Sequence, residues 1–141
     1  MPQHITYSKG IVYTPTMISA VTVSTTSAAQ LVAGAKAVVL EFYSLAVGET
    51  QDRAGNLTVT VSTDGGTNFR AYSMLLSNAT NTNTQTLTRV SSLALTAGTA
   101  QSGLVWMSPE TLGGITHIKA VFTRTTEGTA GTFTVKASIC Y

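Results

Sequence analysis

Apolar and polar residues alternate with a period of two along most of this chain. Leu57, Val59 and Val61 fall on one side of a segment whose other side is Thr58, Thr60 and Ser62. The last segment repeats the pattern, with Phe133, Val135, Ala137 and Ile139 set against Thr134, Lys136 and Ser138. In a strand, alternate side chains point to opposite faces, so both segments read as half-buried strands. The stretch from 36 to 47 differs, because Val38, Leu40 and Phe42 face one way and Val39, Tyr43 and Leu45 the other. A strand apolar on both faces is expected at the centre of a sheet, covered on both sides. Glu41 is the acid in that strand, and it needs a partner or a route to solvent. From 115 to 125, Ile118, Ala120 and Phe122 form one face, and Ile115, His117, Lys119 and Val121 the other.

Read this way, the chain holds about nine strands, near 11–13, 18–24, 36–47, 56–63, 69–76, 84–90, 103–107, 115–125 and 131–140. Turn signals separate them: Gly48 to Gly55, Asp64-Gly65-Gly66, Asn78 to Asn83, Ala97 to Gly103, Gly113-Gly114 and Glu127 to Gly131. The polar stretch Ser77 to Thr86 reads as an exposed loop. The Ala-rich stretch from 28 to 37 contains Gly34 and reads as a turn or a short strand, and no segment carries a helical period. Many short strands with regular turns predict an all-β fold, an antiparallel β-sandwich or jelly roll of about 8–9 strands. Residues 18–141 form its single domain. Residues 1–17 contain Pro2 and Pro15 and little periodicity, and they read as an arm packing on a neighbouring subunit or as an unstructured terminus.

Composition sharpens the picture. With 141 residues and 43% hydrophobic content, the chain can build a core without a disulfide or a metal. Charged residues make up 10%, against about 25% in an ordinary soluble domain, and Thr, Ser, Ala and Gly take their place. Such a surface loses water cheaply, which suits burial against other subunits, although Thr also simply favours strands. The eight basic and six acidic residues are scattered, so direct nucleic-acid contact is not expected. The apolar stretches are too short to cross a bilayer, and no apolar run near the start reads as a signal peptide. Synthesis and folding in a host cytoplasm are expected. One cysteine, Cys140, excludes an intrachain disulfide and reads as a small core or edge residue.

The sharpest local motif is Ser62-Thr63-Asp64-Gly65-Gly66-Thr67-Asn68-Phe69. It follows the Asp-box pattern, S-x-D-x-G-x-x-(W/F). Asp tolerates turn conformations, and its carboxylate accepts nearby backbone N–H groups. Gly supplies positive φ without a Cβ clash. Phe69 is expected to plug the returning strand into the core. Ser62, Asp64, Gly65, Gly66 and Phe69 therefore read as a structural hairpin turn. In sialidases the box is repeated in propeller blades and is likewise structural; here it occurs once.

Catalytic readings find no support. A glycosidase needs paired carboxylates, and six scattered acids offer no pair. His4 and His117 are the two histidines, and neither stands at metal-ligand spacing from Cys140. Gly113-Gly114 precedes a strand and not a helix, so it lacks phosphate-cradling geometry. Asn56-Leu57-Thr58 and Asn78-Ala79-Thr80 fit the glycosylation sequon by chance in a Thr-rich chain. Trp106, amid Leu104, Val105 and Met107, reads as a core or subunit-contact residue before a sugar platform. No catalytic residue, cofactor, metal or small-molecule substrate is expected.

In texture, the chain resembles the small jelly-roll decoration or cement proteins of tailed bacteriophages. The resemblance lies in the short polar start, the Thr/Ser/Ala/Gly-rich strands, the few charges and the Ser62–Phe69 hairpin. It implies a homodimer or homotrimer on the outer capsid surface of a virion, bridging copies of the major capsid protein. No residue motif of that family transfers position by position. The rival readings are a tail, fibre or baseplate β-domain, or a carbohydrate-binding module. An exposed aromatic surface around Trp106 or Tyr72 would favour these rivals.

Overall fold

A computed structural model describes residues 12–45, 53–81, 84–95, 102–107, 112–128 and 131–141. Its strands are β1 (Val12–Tyr13), β2 (Thr16–Val21), β3 (Thr25–Thr26), β4 (Gln30–Leu31), β5 (Ala37–Leu45), β6 (Ala54–Ser62), β7 (Arg70–Ala71), β8 (Met74–Asn81), β9 (Thr84–Val90), β10 (Leu93–Leu95), β11 (Ser102–Met107), β12 (His117–Thr126) and β13 (Thr132–Cys140). Eight of these have six or more residues, close to the number expected from the pattern. The others are short pieces along sheet edges.

Two antiparallel sheets form a β-sandwich. The seven-stranded sheet runs β1-β13-β5-β11-β8-β9, with β2 also on the outer edge of β13. The six-stranded sheet runs β10-β6-β12-β3, with β4 also on β12 and β7 also on β6. One long strand is thus paired by two short ones in succession. On β13, β2 takes the stretch from Phe133 to Lys136, and β1 takes Ile139 and Cys140. On β12, β4 takes His117 and Ile118, and β3 takes Val121 and Phe122. Ser27 bridges the gap between β3 and β4. Its backbone N–H donates to the Ala120 carbonyl at 2.9 Å, and its buried hydroxyl accepts the Ala120 N–H at 3.0 Å. Of the 1–17 stretch, residues 12, 13, 16 and 17 lie in β1 and β2, hydrogen-bonded to β13; residues 1–11 lie outside the described residues.

The core faces follow the sequence pattern. Val38, Leu40 and Phe42 of β5 and Phe133, Val135, Ala137 and Ile139 of β13 meet Leu57 and Val59 of β6 and Ile118, Ala120 and Phe122 of β12. Phe122 and Phe133 stack across the sandwich, with centroids 4.3 Å apart and planes at 29°. Two of the core rings, Phe42 and Phe122, border a glycine on the neighbouring strand. A Cβ on Gly103 would lie 2.6 Å from the Phe42 ring, and one on Gly55 would collide with Phe122. Both glycines fall within runs that read as turn signals, but both are strand residues whose missing side chains make room for a ring.

Three expectations need correction. The polar stretch from 77 to 86 is strand for most of its length, because β8 runs to Asn81 and β9 starts at Thr84. Its Asn and Thr residues sit in a hairpin whose backbone bonds are made within the sheet, so polar composition does not mark a loop there. Ile115, assigned to the outer face with His117, precedes β12 and is buried beside Leu112, whose carbonyl accepts its N–H. The central strand β5 is buried on its inner face alone: Val39 and Tyr43 are half-buried and Glu41 is exposed on the outer one.

Because Phe122 and Phe133 share one contact across two sheets, each truncation to Ala should cost about 3–5 kcal/mol of unfolding free energy. The double variant should lose less than the sum of the two, since residues in contact couple. Urea titration of the four proteins measures this, and strictly additive losses would show that the stack does not tie the sheets together.

Candidate functional site

Strand β6 ends at Ser62, and the chain turns through Asp64, Gly65 and Gly66 towards β7. The buried Ser62 hydroxyl is the hub of the turn. It donates to Asp64 Oδ1 at 2.6 Å and accepts the backbone N–H groups of Gly66 at 3.0 Å and Asp64 at 3.3 Å. Asp64 Oδ1 also accepts the N–H groups of Asn68 at 2.9 Å and Thr67 at 3.2 Å, while Oδ2 takes the Asn68 side-chain amide at 2.7 Å. Gly65 and Gly66 have φ of 77° and 90°, the left-handed region that side chains avoid.

The turn is pinned to the start of β12. Gly65 N–H donates to Thr116 Oγ1 at 3.1 Å, and that hydroxyl donates to the Ser62 carbonyl at 3.1 Å. Thr116 N–H reaches the same carbonyl at 2.8 Å. The His117 ring covers Gly66, where a Cβ would lie 3.3 Å away, and its Nδ1 lies 3.1 Å from Thr116 Oγ1. Sequence reasoning assigned His117 to a sheet face, where it stands, but gave no signal of its contact with a turn 50 residues earlier. Asn68 was also missed, because it occupies an unspecified position of the box.

Phe69 departs from expectation. It is half-buried and lies outside the core, with Lys119 Nζ 4.1 Å from its ring centroid. Lys119 alternates with the buried Ile118 and Ala120, so Phe69 packs on the outer face of the six-stranded sheet. There a cation over the aromatic face is attracted to the ring electrons. The other four residues of the motif, Ser62, Asp64, Gly65 and Gly66, lie together in the turn.

Val61, Thr63, Asp64, Asn68 and Arg70 line a shallow, open depression of about 160 Å³ beside the turn. Its carboxylate is already committed. The Asn68 N–H above all, then the Ser62 hydroxyl and the Asn68 amide, hold the Asp64 carboxyl far below the usual carboxylate range. A group so acidic is a poor proton acceptor near neutral pH, which is the opposite of the tuning a general base needs. The other described acids are distant in the fold: Glu41 stands on the outer face of the other sheet, and Glu127 lies past the far end of β12. Among the described residues no three His, Cys, Asp or Glu side chains gather where a metal would sit.

The second notable surface is the outer face of the seven-stranded sheet. Trp106 is 47% exposed and Leu104 40%, both on β11 and pointing away from the core. Trp106 is expected in the core or at a subunit contact, and the first of these does not hold: Val105 and Met107 face inward, so Trp106 faces out. Tyr72 is half-buried against the core edge.

Gly66→Val should lower the melting temperature, through a strain cost on the order of 1 kcal/mol or more from the left-handed backbone and the contact with His117. An unchanged melt would remove this account of the turn. Asp64→Asn should show a pH signature. With the folded carboxyl held low, the unfolded chain binds the extra proton, so stability from Asp64 rises with pH. The gap between wild type and variant should be full above about pH 4 and close as the pH falls below it. A gap that is flat from neutrality to pH 2 would contradict it.

The crystal structure of SPBc2 prophage-derived protein YomS has a similar fold, with a TM-score of 0.60 over 92% of this chain and 93% of that chain and 11% sequence identity. No protein-family model matches the chain, and no curated protein matches it. The likeness to YomS spans nearly the whole of both chains, so this chain has its overall fold in common with a prophage-derived protein.

Proposed function

We propose that this chain is a structural virion protein of a tailed phage, a decoration protein that binds the outer surface of the head and bridges subunits of the major capsid protein. The observation that carries the phage assignment is the full-length likeness in fold to a prophage-derived protein. The head assignment draws on the low charge and the Thr-rich strands, which lose little on desolvation against a shell. The one motif that resembles an enzyme signature is spent on holding a turn, with Asp64 saturated by donors from its own loop. The mechanism is mass action. A protein that binds the assembled shell and not its dissociated subunits shifts the equilibrium towards the shell, and many weak contacts suffice.

A second reading has one specific observation in its favour. Trp106 stands on an outer sheet face, as a tail, fibre or baseplate domain that touches host sugars would place it. The two readings differ in copy number. Quantitative mass spectrometry of purified particles, against the most abundant shell protein, should give a ratio equal to one or a simple fraction. Particles lacking the chain should release DNA at lower temperature, and adding back the purified protein should restore them. A handful of copies per particle, with heads that melt unchanged, would move the protein to the tail and overturn the decoration reading.

A further inference from the structure

We infer that the outer face of the seven-stranded sheet is the interface with a second copy of this chain, in a two-fold dimer anchored by Trp106. The face is built from two full rows that cross β11, β5 and β13, Trp106–Val39–Ser138 and Leu104–Glu41–Lys136. Ser102 and Tyr43 border it at one end, where Thr134 is buried and its hydroxyl accepts the Ala20 N–H. Trp106, Leu104 and Val39 adjoin one another, and Val12 of β1 extends the apolar strip one strand beyond Cys140.

Three features single this face out. Strand β5 is apolar on both faces, the pattern of a strand covered on both sides, yet among the described residues only its inner face is covered. The outer face of the six-stranded sheet is mostly polar by comparison: Asn56, Thr58 and Thr60 of β6 and Lys119 and Thr123 of β12 surround Val121, and Phe69 packs over Lys119. The apolar strip also carries residue types found at protein contacts, an exposed Trp at its β11 end and charged residues along its flank. The immediate neighbours of Trp106 on the face are Val39 and Leu104, which give a sugar ring no hydrogen bonds.

Charge selects the second copy as the occupant. Glu41 and Lys136 stand directly opposite on adjacent strands, and Glu41 forms no ion pair among the described residues. Lys136 Nζ lies instead 5.7 Å from the Tyr43 ring centroid. A two-fold axis along the strands, between β5 and β13, lays Glu41 of each copy over Lys136 of the other. The symmetry makes the pair twice, so the face is complementary to itself, as an isologous interface must be.

The inference stands apart from the virion reading and is tested without particles. Sedimentation equilibrium of the full chain at micromolar concentration should give twice the chain mass of 14.7 kDa. Trp106→Ser should weaken the dimer at least ~30-fold with its circular dichroism unchanged, since hot-spot truncations carry that much. Glu41→Lys alone and Lys136→Glu alone should each be monomeric, because each puts like charges together twice. An equimolar mixture of those two variants should sediment as a dimer, since the reversed charge of one copy then meets an opposite charge on the other. A wild-type monomer across the micromolar range, a Trp106→Ser protein that still dimerises, or a mixture that stays monomeric would overturn it. So would a wild-type monomer whose Trp106 fluorescence shifts with an oligosaccharide, which would make the face a sugar platform.

Discussion

The ring of Phe122 lies against that of Phe133, 4.3 Å between centroids, and this contact joins two sheets that are otherwise separate hydrogen-bonded layers. The two residues belong to consecutive strands, one in each sheet, and each strand has neighbours on both sides. β12 holds β6 on one side and β3 and β4 on the other, while β13 holds β5 on one side and β1 and β2 on the other. Fixing this pair therefore ties an internal strand of one sheet to an internal strand of the other. Large aromatic rings bury much apolar area and favour offset stacking, so the pair also sets how far apart the layers sit. The contact makes demands elsewhere: Phe122 needs Gly55 beside it, and Phe42, one strand over from Phe133, needs Gly103.

That requirement explains where pattern reading succeeded and failed. A period of two located β6, β12 and β13 to within two residues, because each buries at least three successive alternate residues on one face. The two-residue strands β3, β4 and β7 carry no period at all, and they are strands only because β6 and β12 offer them an edge. Gly55 and Gly103 read as turns because glycine has two structural uses, positive φ and absence of bulk. Only the three-dimensional partner tells which applies. Gly65 and Gly66 were legible because a serine, an aspartate and two glycines at fixed offsets leave little else the backbone can do.

The turn's chemistry was legible in kind and incomplete in extent. The motif itself implies that Asp64 accepts N–H groups of its own loop, and it does. It does not say that Thr116 and His117 close the turn from another strand. Those contacts arise because β12 pairs with β6 in the register that sets His117 opposite Ser62. Phe69 was misplaced for a related reason. The box ends where the chain passes over the outer face of β12, and the side chain meets Lys119 there before it can reach the core.

The outer face of the seven-stranded sheet follows from the same alternation that built the core. Once Val105 and Met107 are committed inward, Leu104 and Trp106 must face outward, and once Leu40 and Phe42 are inward, Val39 and Tyr43 must be outward. The fold has no freedom to hide them by rotating a strand, since a slip of one residue would expose the core instead. A sequence with ample Thr to spare for outer faces, as β6 shows with Thr58 and Thr60, nevertheless places Trp and Leu on this one. Isolated exposed apolar residues are ordinary in folded proteins, but these are contiguous across hydrogen-bonded strands and bordered by an acid and a base in register. The residues that make the face apolar contribute nothing to the inner packing, which is why the dimer contact we infer is drawn on this face and not on the other.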